Sequence, residues 1–257
     1  LNFGNIRFPS NINKTAHQFY RWAAFLFLLA FVLLAGCARQ LRKPASGQPG
    51  EKVPVIRVAL DDDFHSATLS FEGKYEFPAE EATYVLDASV GEFNVAYLEG
   101  ELIFRSPHRW FEFKTFTSLE FRPIGDARFN WNGQPYSGIL KFTRENGKVV
   151  VVNILPVPEY LRGVVPQEIP SHTQDYYPAI MAQAVAARTY AMYHIQHPAG
   201  QAFDVFWDTR DQYYGGLKGT ARLSDEAIRE TEGKVLRDEN HKLVETQFHS
   251  TCGGILE

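Results

Sequence analysis

Apolar and polar positions alternate in short runs from Val53 onward. "VPVIRVAL", "ATYVLDASV", "FNVAYL", "ELIFRS", "RWFEFKTF" and "LEFRPI" each pair β-branched or aromatic residues with polar ones at period two, and Gly, Pro and acidic residues separate them. This pattern predicts a meander of short antiparallel strands. Two Asn-Gly pairs mark tight turns, at Asn132 and at Asn146, the second between strands expected at 139–143 and 148–155. After Pro156 the period changes. "PEYLRG" (158–163) predicts a short helix with Pro in its first turn and Gly163 just past its end. "PAIMAQAVAARTYAMYHI" (178–195) predicts one long alanine-rich helix with Ile180, Ala184, Ala187 and Ala191 on a common face. "SDEAIRETEG" (224–233) predicts a third helix with Ser224 as its N-cap, and "KVLRDENHKLVETQFHS" a hairpin turning at 238–240. The class is α+β: a strand-rich region followed by a mixed one with one long helix and short strands.

The N-terminal pattern differs in kind. After Arg21 comes the apolar run "WAAFLFLLAFVLL" and then Ala35, Gly36 and Cys37. The run is short for a membrane span and right for a signal-peptide core. "ARQLRKPASGQPGEK" (38–52) is polar and rich in Gly, Pro and basic residues, the composition of a tether. The organisation expected is therefore a signal segment at 1–36, a tether at 37–52, a strand-rich region at 53–148 and a mixed domain at 149–257. Export follows, with the body in an oxidising compartment. The alternative is an uncleaved signal anchor with an incidental cysteine.

Composition changes the picture in one respect. The chain has 257 residues, 45% of them hydrophobic, and a formal net charge of −4. Arg7, Lys14 and Arg21 lie in the signal segment, which holds no acid, so the remainder is more acidic still. That balance argues against nucleic acid as a partner.

Four places could carry chemistry. In "GVVPQEIP" (163–170) a single carboxylate, Glu168, stands in a Pro-bracketed apolar stretch, where its neutral form would be favoured as a general acid requires; a solvated loop glutamate is the alternative. Arg188 and Gln183 sit on the alanine-rich helix, either on the surface or holding a carboxylate or an anionic substrate group. "DVFWDTRDQYYGG" (204–216) combines aromatic faces with amide and carboxylate groups, which suits sugar rings and equally suits an ordinary strand edge. "HSTCGG" (249–254) holds Cys252 three residues after His249, a thiol-imidazole pair or a tight turn.

Taken together, "VVVVNILPVPEYLRGVVPQEIP", "AIMAQAVAARTYAMY", "FDVFWDTRDQYYGG" and "EGKVLRDENHKLVETQFHSTCGG" resemble the SpoIID/LytB family of bacterial cell-wall proteins, which includes lytic transglycosylases of sporulation and amidase enhancers. The resemblance runs from Val149 to Gly254 and is weak before it. "LAGC" at Leu34 to Cys37 similarly resembles a lipobox, which makes Cys37 an acylated anchor to a bacterial membrane facing the cell wall. The family implies cleavage of the glycan strands of peptidoglycan between N-acetylmuramic acid and N-acetylglucosamine, with formation of 1,6-anhydro ends in wall remodelling or sporulation. Glu168 matches its catalytic glutamate, with Ile169 in place of Met. Gln183, Arg188, Gln212, Tyr214, His249 and Ser250 match residues around its cleft, and Cys252 a position where the chemistry requires no thiol. The zinc-binding cysteines and histidine of some members are replaced by Phe206, Arg210 and Asp211, so no metal and no cofactor are expected. The alternative within the family is a glycan-binding module, without cleavage activity, that helps a cell-wall amidase.

Overall fold

The alternating runs become strands of one sheet. The computed structural model describes residues 53–79, 82–107, 112–115 and 118–247. Cys37, His249, Ser250 and Cys252, and with them the signal, tether and thiol readings, lie outside the described residues.

The strands are β1 (Val55–Asp61), β2 (Ser66–Ala79), β3 (Ala82–Leu86), β4 (Phe93–Leu98), β5 (Glu101–Arg105), β6 (Glu112–Thr115), β7 (Leu119–Trp131), β8 (Gln134–Ser137), β9 (Ile139–Glu145), β10 (Lys148–Pro156) and β11 (Val205–Phe206). The helices are α1 (Val157–Glu168), α2 (Tyr177–Gln196) and α3 (Arg222–Glu230). The sheet runs β11-β1-β10-β9-β7-β2-β4-β5-β6, with β3 beside β2 and β8 beside β7. The mixed class expected from the sequence is therefore the observed one, but the connectivity is not a plain meander. β1 pairs with the distant β10, and β11 joins β1 in parallel. The sheet passes continuously through position 148, and the described residues fall in one compact unit.

Both Asn-Gly turns lie where the sequence put them: Asn132 and Asn146 have φ of 51°, Gly133 74° and Gly147 80°, the left-handed pair that a two-residue hairpin turn needs. Two strands escaped the sequence reading. β2 is 14 residues long, and its register against β7 shifts at Gly73, where the one residue between Glu72 and Lys74 faces residues 125–127 of β7. There Gly73 has φ of +84°, and a Cβ would lie 2.9 Å from that of Ala127. β8 is short and contains Pro135, which reads as loop.

An aromatic core covers one face of the sheet: Phe71, Phe93, Phe104, Phe121, Phe129 and Phe142 are buried, and Phe104 stacks on Phe113 at 4.4 Å between ring centroids. β10 is buried on both faces, Val149, Val151 and Leu155 towards this core and Val150 and Val152 towards Phe203 and Ala59. That explains its unbroken apolar run.

α2 buries Ile180, Ala184, Ala187 and Ala191 completely, the stripe read from the sequence. Two boundaries differ from expectation. α1 does not stop before Gly163 but continues through Pro166 to Glu168, because Tyr160, Leu161, Val164 and Val165 fall on one helical face and all are fully buried. α3 begins at Arg222; Ser224 lies inside it and donates its hydroxyl to the Ala221 carbonyl at 2.7 Å instead of capping the N-terminus. The C-terminal hairpin is reduced, among the described residues, to one bridge between Arg237 and Leu243.

Candidate active site

Glu168 ends α1, and the loop 207–219 runs back alongside the C-terminal half of that helix. Three hydrogen bonds hold the two together: Gly215 N to the Gly163 carbonyl at 3.0 Å, Gln167 Nε2 to the Lys218 carbonyl at 3.1 Å, and Tyr213 N to Glu168 Oε1 at 3.2 Å. The other side of the loop is fixed to β8 by Leu217 N, which donates to the Pro135 carbonyl at 2.9 Å, and by Gln134, which donates to the Gly215 carbonyl. Upstream, Asp204 is 3% exposed and anchors the segment to β1. It accepts from Arg57 N at 2.8 Å and from the Arg57 guanidinium at 2.5 and 3.0 Å.

Glu168 is exposed as a residue, yet the protein around its carboxyl raises its pKa above the ordinary glutamate value. Desolvation is the main cause, and the Tyr213 amide acts in the opposite direction by stabilising the anion. The apolar sequence neighbours Val164 and Val165 point into the core, so what desolvates the carboxyl is tertiary packing rather than the local sequence. Other acids nearby are committed. Asp211 accepts from the Tyr190 hydroxyl at 2.5 Å and from Phe206 N at 2.7 Å. Asp208 pairs with Arg210, which also bridges to Asp62 and lies 3.7 Å above the Phe206 ring. No group of three or more His, Cys, Asp or Glu side chains gathers among the described residues.

Beneath the site lies a buried polar network. Tyr160 is fully buried and donates to Gln212 Oε1 at 3.2 Å; Tyr214 donates to Asn153 Oδ1 at 2.9 Å; Asn153 donates to the Ser137 and Ile139 carbonyls at 2.8 and 3.1 Å. Gln212 and Tyr214, expected to touch substrate, are each 1% exposed and support the loop from below. Tyr160 and Asn153 were not singled out from the sequence. The signal was there: one polar residue in "VVVVNIL" must find partners once the strand is buried on both faces.

Arg188 is also placed away from open surface. It is 6% exposed, and its guanidinium donates to the Ile228 carbonyl at 2.9 Å, the Lys234 carbonyl at 3.3 Å and Thr231 Oγ1 at 3.3 Å. It therefore closes the C-terminal end of α3, where the helix carbonyls favour a cation. Gln183 is half-buried on α2, and its Nε2 has no partner among the described residues.

Gly163 sets how closely the loop approaches. A Cβ there would lie 2.5 Å from Tyr214 Cε2 and 2.6 Å from the Gly216 carbonyl oxygen. Gly163→Ala should raise helix propensity by about 1 kcal/mol, but it must displace loop backbone and a buried ring. The expected net result is a loss of about 1–3 kcal/mol, measured by the urea midpoint, together with a weaker hold of Tyr213 on Glu168.

Residues 145–237 match the SpoIID family, described as "Stage II sporulation protein". That span runs from the end of β9 to the bridge residue Arg237 and contains α1, α2, α3 and the loop between them. An uncharacterized protein of Brachyspira hyodysenteriae (strain ATCC 49526 / WA1) is 38% identical over 128 residues, 49% of this chain and 34% of that protein. The chain thus matches about a third of the length of this curated relative.

Proposed function

We propose that this chain, with a SpoIID domain at 145–237, is a lytic transglycosylase that cleaves peptidoglycan glycan strands between N-acetylmuramic acid and N-acetylglucosamine. One observation carries the reading: Glu168 is an accessible carboxyl with a raised pKa, held by the Tyr213 amide, while the acids nearest it in the loop are occupied by other partners. A single carboxyl whose protonated form is favoured by its surroundings suits a reaction in which the same group acts first as acid and then as base.

In that reaction Glu168 donates its proton to the glycosidic oxygen as the bond from that oxygen to C1 of muramic acid breaks. The 6-hydroxyl of the same muramic acid then bonds to C1 and passes its proton to the Glu168 carboxylate. The enzyme ends as it began, and the product carries a 1,6-anhydro ring with no water added. Hydrolysis by paired carboxylates would give reducing ends instead. Mass spectrometry of glycan strands incubated with the full chain tests this directly. Anhydro-ended fragments support the proposal; intact strands that still pellet with the protein would replace it with the glycan-binding, amidase-assisting role. A diacylated Cys37 at the mature N-terminus, also read by mass spectrometry, would place the domain on a membrane facing the wall.

The raised pKa has two expected consequences. Activity should decline on the alkaline side of a pH above the ordinary glutamate value, as the acid loses its proton. For stability the sign is opposite to that of a salt-bridged carboxylate. The folded chain keeps a proton that the unfolded chain has already lost, so the contribution is fully present below about pH 4.3 and fades as pH rises through the folded pKa. Glu168→Gln should remove this decline from the profile of Tm against pH.

A further inference from the structure

We infer that Tyr213, backed by Trp207, is a stacking platform for an N-acetylated amino-sugar ring, placed beside the acid by its own backbone. The inference deepens the glycan-cleavage reading and rests on it for the ligand class.

Tyr213 stands between two residues that are each 1% exposed, Gln212 and Tyr214, yet is itself 43% exposed. A large aromatic side chain left open between buried neighbours covers no core of its own. Its ring meets that of Trp207 at 5.7 Å between centroids and 55° between planes. Trp207 in turn is held from both sides: its N–H donates to the Ala59 carbonyl at 3.2 Å, and its carbonyl accepts from Tyr214 N at 2.8 Å. These backbone bonds fix the main chain of Trp207 to β1 and to the loop, and its partly buried side chain packs against the core behind the Tyr213 ring.

The second observation is the amide. Tyr213 N–H is the group that binds Glu168 Oε1 at 3.2 Å. The ring and the acid are therefore linked through one residue, and a sugar lying on the ring is within a side chain's reach of the carboxyl. The chemistry fits a pyranose. The ring face carries negative charge density, and the axial C–H bonds of a β-linked amino sugar present a weakly positive, apolar face to it. The charges next to the platform are satisfied by one another, Arg210 with Asp62 and Asp208, so the surface offers stacking rather than ion pairing.

The test uses the full chain carrying Glu168→Gln, in which the side-chain oxygen can still accept from Tyr213 and cleavage is expected to be strongly slowed. Binding of the N-acetylglucosamine tetramer is followed by calorimetry and by tryptophan emission. Tyr213→Ala, which keeps the backbone N–H, should weaken binding roughly fivefold to tenfold. Tyr213→Phe should bind as the parent does, and Trp207→Phe should lose the emission change. Equal affinity in Tyr213→Ala with an unchanged Tm, or no binding of the tetramer by the parent, overturns the platform. The cleavage proposal fails separately. Should wild type yield no anhydro ends while Tyr213→Ala still weakens the tetramer complex, the platform stands and the transglycosylase does not.

Discussion

Glu168→Gln is expected to lower glycan-strand cleavage by about 10²–10⁴-fold, with anhydro-ended fragments counted by mass spectrometry and strand binding unchanged in a pelleting assay. The substitution is nearly isosteric and preserves an oxygen to accept the Tyr213 N–H, which is 3.2 Å from Oε1. What it removes is the transferable proton. Folding is not at risk: the carboxyl raises no ion pair among the described residues, and its pKa is shifted upward by desolvation, so a neutral amide suits the site at least as well as the anion does. A variant that still cleaves at the wild-type rate would move the acid elsewhere and leave Glu168 as a binding residue.

Arg188→Met is expected to cost about 2–4 kcal/mol of stability, read as a lower urea midpoint with an unchanged slope. Methionine fills much of the volume, so the loss isolates the polar contacts. Without the guanidinium, the Ile228 and Lys234 carbonyls lose their donor in a site only 6% exposed at Arg188. Arg188→Lys should recover part of the loss, because an ammonium cannot fork between Thr231 Oγ1 and two carbonyls. The residue matched as a cleft residue would behave differently: a substrate contact would weaken glycan binding and leave the midpoint where it is.

Those two residues divide what could be read from the sequence alone. Local chemistry and period were enough for the α+β class, for the two Asn-Gly hairpin turns and for the α2 stripe of Ile180, Ala184, Ala187 and Ala191. Each rests on an interaction between near neighbours, whether a φ value or a helical repeat; for Glu168 the local sequence left a solvated loop glutamate open, and it was the resemblance that singled the residue out. Tertiary structure decided the rest. α1 continues through Gly163 and Pro166 because burial of Val164 and Val165 outweighs the local break signals, and because only a glycine lets Tyr214 and Gly216 come so close. Arg188, Gln212 and Tyr214 became supports instead of surface contacts once α3, Tyr160 and Asn153 were brought to them from 40, 52 and 61 residues away. The sequence names the groups that need partners, but a buried donor or acceptor is satisfied by whatever the fold brings near, and that follows from packing across long separations rather than from any local pattern.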